Sequence, residues 1–581
     1  MTSLPTGQAI INLRQRIKTN PNDGAALQDL SVLLGQSGNV VEALQLAGTA
    51  VSLLPNSIEG WLNKGNLEAR NGQAGEALGS YLRATEVAPS DARAWYNLGN
   101  ILALERHGAE SISALEIAHK LAPISTPVLA SLALAYRKQN RLSDAIHTYE
   151  RAITCEPGNP HLRSNLIVAH QYQPDVSDAL LYETHKKWFF TQSPETVGRS
   201  VTSADSLRPL RIGYVSGDFR QHPIGFFLSG VLKHQNRDLI NVFCFSDTRT
   251  VDDMTSTLKQ NADHWIESIG LSDDEFCSVV RQNEIDILVD LSGHFTRNRL
   301  IAFAQKPAPV QVTWAGYVGT TGLAAMDWLI ADQYHAPPGY EAYTTERIVR
   351  LSDDYICYAP PNLTPDVAPL PFDTNGFITF GCFNNLVKLN AHVLRAWTDV
   401  LRAVPNSHLI LKTADLDQPE LCAQINTIFE SANIDLKRIS LRPASDHTGL
   451  LQTYGEVDIA LDPFPYSGGL TTLEALWMGV PVITKTGRSF AGRHSTAHLT
   501  ATELADWVTS DDSDYIATAI AKALDTESLR KLRANLRQRL SASALCQHRA
   551  FTQKLERAFK HMWDDACASP SADRPRVVDI S

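Results

Sequence analysis

The sequence has eight cysteines, at positions 155, 244, 277, 357, 382, 422, 546 and 567, and no two of them form a CxxC pair. That scatter offers neither a zinc-binding pair nor a disulfide framework, and it suits a reducing compartment. No apolar run approaches the ~18 residues of a membrane span, and the opening MTSLPTGQAI shows no basic-then-apolar signal pattern. No Lys/Arg block offsets the net charge of −11, so a nucleic-acid surface is not expected. These absences predict a cytoplasmic protein with no membrane or nucleic-acid partner. The 581 residues, 44% hydrophobic and 20% charged, read as an ordinary globular chain of roughly three or four domain-sized units.

What the sequence does hold, first, is a repeat. Pro21, Pro55, Pro89, Pro123 and Pro157 lie 34 residues apart, as do Ala50, Ala84, Ala118 and Ala152. Ala43, Ala77, Ser111 and Ala145 keep the same period, and so do the pairs Trp61/Trp95 and Gly65/Gly99. This order matches the tetratricopeptide pattern of two antiparallel helices per unit, with small residues where the helices approach and proline ending the second. Stacked units form an α-solenoid whose groove binds peptides or proteins. The alternative is a spacer or dimerisation arm, with a second copy of the chain as partner. Asn63, Asn66, Asn97 and Asn100 fall on first helices and carry both a donor and an acceptor for a peptide backbone.

From residue 209 short β-rich runs alternate with helical stretches: LRIGYVS, INVFCFS, IDILVDLSG, VQVTWAG and WLIAD. A proline-rich connector at 359–372 precedes a second series, FITFGCF, SHLILKT, RISLRP, VDIALD and VPVITK. Two Rossmann-like α/β halves follow from this, with a cleft between the carboxyl ends of two parallel sheets. The predicted units are a solenoid at 1–175, capping helices and linker at 176–205, lobes at 206–363 and 364–565, and a disordered tail at 566–581.

Candidate chemistry gathers at strand ends. In LDPFPYSGGLTTLEALW, Gly468 and Gly469 allow close backbone approach, and a helix opening near Leu470 offers free N–H groups to a phosphate. Thr471 and Thr472 add hydroxyls, and Glu474 is one turn further, within reach of a ribose. After another strand come Asn384, Asn385 and Lys388, the lysine suited to neutralise a diphosphate leaving group. The DLD at 415–417 is a weak metal motif, so no metal or cofactor is expected. RPASDH brings Pro443 and Ala444, whose backbone could hold a base, and His447. On the facing half, His222 follows the first strand, and DLSGH supplies Asp290 and His294. GYVGTTG supplies Tyr317, Gly319, Thr320 and Thr321 as cleft or acceptor-side residues. A single strand-end histidine is more often a turn residue, but three such sites converging on one cleft favour function.

Together RIGYVSGDFRQHP, ILVDLSGHFTRNR, KPAPVQVTWAGYVGTTG, FNNLVKLN and LDPFPYSGGLTTLEALWMGVPVIT resemble the O-linked N-acetylglucosaminyltransferases, glycosyltransferase family 41, from about residue 20 to 565. The resemblance implies a tetratricopeptide solenoid followed by a GT-B catalytic region. It also implies inverting, metal-independent transfer of N-acetylglucosamine from UDP-GlcNAc to Ser/Thr hydroxyls of proteins. His222 matches the family's active-site histidine, as base or positioning group, with Asp290 a second candidate. Lys388 matches the diphosphate-binding lysine, Asn385 stands in the place of a glutamine, Thr471 lies in the phosphate-binding TT, and Glu474 takes the place of a ribose-binding acid. The animal enzymes differ in having a histidine before TT, a lysine–histidine pair where this chain has ASDHTGLL, and a long domain between the lobes. Plant relatives of similar architecture use GDP-fucose, which leaves a different donor as one alternative. A nucleotide-binding scaffold without turnover is the other.

Overall fold

The computed structural model describes residues 6–188, 208–361, 363–568 and 574–581. The chain divides into two compact units, residues 1–157 and 158–581.

The first unit is helical throughout its described residues. After a helix at Thr6–Thr19 come the pairs Gly24–Gln36 with Val40–Leu53, Ile58–Arg70 with Ala74–Val87, Ala92–Leu104 with Gly108–Leu121, and Thr126–Lys138 with Leu142–Cys155. The 34-residue period has a direct physical basis. The Trp61 indole donates to the Pro55 carbonyl at 2.8 Å, and Trp95 repeats the bond to Pro89 at 2.9 Å. A Cβ at Gly65 would lie 2.6 Å from the Tyr81 ring, and one at Gly99 2.6 Å from Leu115, so glycine is what lets paired helices touch. Ala43, Ala77, Ala84, Ala118, Ala145 and Ala152 are all fully buried. Of the candidate groove asparagines, Asn66 accepts from the Tyr81 hydroxyl and Asn63 donates to Ser31.

The helices Pro160–His170 and Asp178–Lys186 belong to the second unit, which corrects the expected solenoid boundary at 175. Ile167, Val168 and Trp188 enter that unit's core, and Ser164 and Gln171 bond to His294 and Tyr317. The expected linker before 206 lies outside the described residues.

Two wholly parallel sheets form the second unit. The first contains β1 (Leu210–Ser216), β2 (Ile240–Ser246), β3 (His264–Glu267), β4 (Ile287–Asp290), β5 (Val310–Thr313), β6 (Trp328–Asp332) and β7 (Arg347–Leu351). The second contains β8 (Thr379–Cys382), β9 (His408–Lys412), β10 (Ile439–Arg442), β11 (Ile459–Leu461), β12 (Val482–Lys485) and β13 (Val508–Thr509). The final strand, β14 (Val577–Ile580), returns to the first sheet, giving the orders β14-β7-β6-β5-β4-β1-β2-β3 and β10-β9-β8-β11-β12-β13. Strand order reverses beside β1 in one sheet and beside β8 in the other. At such a reversal the adjoining loops diverge and leave a crevice at the strands' carboxyl ends.

The helix His548–Cys567 crosses back to the first lobe, where Glu556 accepts from the Asn236 N–H at 2.7 Å and His548 bonds the Tyr358 carbonyl. The expectation of a disordered tail at 566–581 fails at its end, because β14 pairs in parallel with β7 along Val577–Ile580. Polar and proline-rich SPSADRPR masks the short VVDI run, which pairs only because the crossing helix delivers it to an open sheet edge.

Candidate active site

Loops from both reversal points line one cavity of about 680 Å³. The first sheet sends Asp218 and His222 from β1, Leu291 and Ser292 from β4, and Ala315, Gly316 and Val318 from β5. The second sends Asn384, Asn385 and Lys388 from β8, Ser445 and His447 from β10, and Tyr466, Gly469, Leu470, Thr471 and Glu474 from β11.

His222 closes the N-terminus of the helix Pro223–His234, its Nδ1 facing the Ile224 N–H in a long 3.5 Å contact. Its Nε2 lies 4.0 Å from Asp218 Oδ2, while Asp218 Oδ1 accepts from Arg220 at 2.9 Å. Burial lowers the His222 pKa, with Asp218 pulling it back up and Arg220 reinforcing the fall. The ring is therefore neutral at pH 7.

Lys388 follows a short turn capped by Asn385, whose side chain accepts from the Val387 N–H. Its ammonium donates to Asn384 Oδ1 at 3.0 Å and the Ser467 carbonyl at 2.8 Å, and it stands 4.4 Å from the Tyr466 ring centroid. No carboxylate among the described residues pairs with it directly. Burial pushes its pKa down to about 8, although Asp462 opposes the fall. A cation held mainly by dipoles and a π-face is primed for an anion.

The helix Leu470–Trp477 opens beside it on Gly469, which supplies no capping side chain. The Thr472 and Leu473 N–H groups donate to the Gly469 carbonyl, and those of Leu470 and Thr471 are left without a partner in the helix itself. Space at Gly469 is open, whereas a Cβ at Gly468 would meet Thr472, Thr471 and Asp462 within 3 Å. Gly468 is thus a packing requirement: its N–H donates to Asp462 Oδ1 at 2.7 Å, which pins the loop to β11. Thr471 reaches Asn384 at 3.1 Å and lines the cavity. Thr472, expected beside it, turns inward to Ser495 and the Gly468 carbonyl.

Glu474 is buried, and its Oε1 lies 2.7 Å from His447 Nε2. Burial raises the Glu474 pKa and His447 restrains the rise. The Phe226 ring from the first lobe lies 5.3 Å from the His447 ring. Pro443 and Ala444 are exposed and do not line the cavity; Ser445 and Leu450 do.

Several first-lobe candidates are structural instead. Asp290 is 1% exposed, accepts the N–H groups of Ser292 and Gly293 and the Thr313 hydroxyl, and does not line the cavity. Burial pushes its pKa up to about 6 against those donors. His294 is buried between Ser164 Oγ at 3.0 Å and the Thr321 carbonyl at 2.8 Å. Tyr317 bonds His185 and Gln171, and Thr320 and Thr321 bond Glu346. Gly319 takes φ +135° in the same loop. Helices 160–170 and 178–186 cover this side of the first lobe, so the loop points its polar groups at them.

Sequence reasoning did not single out Asp218, Tyr466, His494 or His498, all of which line the cavity. The spacing of HSTAH, two histidines one turn apart, was the available signal for the last two. Asp332, His335 and Asp354 bring three potential metal ligands within 4.8 Å. Each already bonds within the protein.

Residues 191–359 and 370–555 match Glycosyl transferase family 41, and 62–125 and 126–159 match tetratricopeptide repeats. The chain is 36% identical over 416 residues to an Arabidopsis thaliana protein named "Probable UDP-N-acetylglucosamine--peptide N-acetylglucosaminyltransferase SPINDLY", covering 68% of this chain and 44% of that one. The Oryza sativa subsp. japonica protein of the same name is 37% identical over 404 residues, covering 67% and 42%. The chain thus spans less than half the length of these curated relatives. Among solved structures, a lysine-to-methionine mutant of the Thermobaculum terrenum O-GlcNAc transferase is 34% identical, with a TM-score of 0.81 over 88% of this chain and 98% of that one. The fold, the cavity at two strand-order reversals and these matches lead to one conclusion: the chain belongs to glycosyl transferase family 41.

Proposed function

We propose that this protein transfers N-acetylglucosamine from UDP-GlcNAc to Ser/Thr hydroxyls of proteins, with inversion and without a metal, its acceptors gathered by the repeat groove. The observation that carries this reading is Lys388, a cation with no direct carboxylate partner among the described residues, beside a helix N-terminus without a side-chain cap in the cavity. Together they supply the positive potential that a departing diphosphate needs. The His447–Glu474 pair offers a place for the ribose. The acceptor oxygen bonds to the anomeric carbon as the bond to the diphosphate oxygen breaks, and the electron pair leaves with UDP. The hydroxyl proton passes to the diphosphate or to water.

His222 enters as a hydrogen-bond donor to a substrate oxygen. With Nδ1 turned to the Ile224 N–H, its proton is on Nε2. His222→Gln keeps a donor near that point but cannot take a proton. It is expected to retain activity within about tenfold, while His222→Ala loses about a hundredfold. Equal losses in steady-state kcat would instead assign a base.

Calorimetry with UDP, GDP, UDP-GlcNAc and GDP-fucose, followed by mass spectrometry of acceptor proteins with and without EDTA, tests the whole reading. Preference for UDP and a transferred N-acetylhexosamine that survives EDTA are expected. Preference for GDP with deoxyhexose transfer would replace the donor, and binding without transfer would leave a scaffold.

A further inference from the structure

Beside Tyr466 the cavity has a wall that the reading above does not use. Tyr466 lies 6.1 Å from His494, ring centroid to ring centroid. The wall is the helix His494–Ala501, whose His494 and His498 stand one turn apart with rings stacked at 6.4 Å. Both line the cavity, as do Ile356 and Tyr355, whose ring stacks 6.2 Å from that of His494.

Each ring is tethered to a first-lobe carboxylate. His498 Nδ1 lies 2.7 Å from Asp354 Oδ2. His494 Nδ1 lies 2.9 Å from His335 Nε2, and His335 Nδ1 lies 2.7 Å from Asp332 Oδ2. Asp332 also accepts the backbone N–H groups of Tyr334, His335 and Tyr355, so it is an ionised acceptor.

For neutral rings these bonds set the tautomers. His335 donates from Nδ1 to Asp332, its Nε2 therefore accepts, and His494 must donate from Nδ1. His498 likewise donates from Nδ1 to Asp354. Each cavity histidine is left with a bare lone pair on Nε2. His498 Nε2 is buried without any hydrogen-bond partner, in a side chain of 0% exposure. Such an orphan is costly unless a ligand satisfies it. Burial, with His335 and Lys388 nearby, holds His494 neutral, its pKa well below the ordinary imidazole value.

Imidazole Nε2 lone pairs side by side repel phosphate oxygens and favour uncharged groups bearing O–H or N–H. Contacts order the cavity floor as His447–Glu474, then Thr471–Asn384–Lys388, then Tyr466 and His494. A nucleotide with its ribose at Glu474 and its diphosphate at Lys388 carries its distal substituent to the two imidazoles. We infer that His494 and His498 form the sugar subsite, accepting hydrogen bonds from two hydroxyls, or one hydroxyl and an amide N–H, of the transferred hexose. This assignment rests on the nucleotide-sugar reading above.

A histidine pair one turn apart and backed by carboxylates is also the arrangement that a zinc ion uses. Neither histidine belongs to the group of three ligand atoms found among the described residues, so a third zinc ligand is lacking.

His494→Asn and His498→Asn test the assignment, because asparagine can keep the Nδ1-type donor bond while removing the cavity acceptor. Calorimetry of the full chain should show UDP affinity unchanged within about twofold. UDP-GlcNAc affinity should fall roughly tenfold for each imidazole removed. If the wild type prefers GDP, GDP and GDP-fucose replace that pair. Equal shifts for nucleotide and nucleotide sugar, or none, would overturn the subsite and leave the donor reading intact. One tightly held zinc ion in the wild type, lost in His498→Asn, would also overturn it. A wild type that binds neither nucleotide fails the donor reading itself, and the subsite with it.

Discussion

Lys388→Ala is expected to lower turnover by about a thousandfold, with a matching loss of UDP affinity in calorimetry. The loss is large because, among the described residues that line the cavity, Lys388 is the one lysine or arginine beside the helix start, in a half-buried site where water screens poorly. Removing a single preorganised donor at a developing charge costs about 2.7–4 kcal/mol, or 10²–10³ in rate. Near-wild-type transfer by Lys388→Ala would refute its role.

The same residue dictates a pH dependence. In the free protein burial lowers the Lys388 pKa to about 8, so well below that pH the ammonium awaits the diphosphate charged. As pH rises through about 8 the free site loses its proton, while the bound diphosphate favours keeping it. UDP affinity should therefore be flat below pH 8 and decline above it. Binding above pH 8 should also take up a proton, seen as heats that change with the ionisation enthalpy of the buffer. No decline between pH 7 and 9.5 would mean that the ammonium does not meet the nucleotide.

Asp290→Ala is expected to act on stability rather than on chemistry. The carboxylate satisfies two backbone N–H groups and the Thr313 hydroxyl in a fully buried turn. Alanine leaves all three donors unpaired, at a cost on the order of 4 kcal/mol. A lower melting temperature and lower yield should follow, while kcat per folded molecule stays within a few-fold of wild type. A stable Asp290→Ala with abolished turnover would return Asp290 to the catalytic candidates.

Asp290 also shows what a motif can and cannot convey. The repeat was legible because its 34-residue period reproduces contacts between residues near in the chain: Trp61 bonds Pro55 at the end of the preceding unit, and Gly65 meets Tyr81 within its own. The two parallel sheets were legible from apolar runs, since strands buried on both faces must be apolar throughout. Lys388, Thr471 and Glu474 were legible because a strand, a turn and a helix start fix their direction locally.

His294, Tyr317, Thr320 and Thr321 occupy equally suggestive strand-end positions, yet they turn away from the cavity. Their direction is set by helices 160–170 and 178–186, more than a hundred residues upstream, and by Glu346. Conversely, His494 and His498 face the cavity because Asp332, His335 and Asp354 reach them across the two lobes. The sequence by itself determined the repeats, the two sheets and the strand ends at which chemistry gathers, because short-range packing and hydrogen bonding dictate them. Only the tertiary structure decided which strand-end side chains face the cavity, because that choice depends on partners distant in the chain.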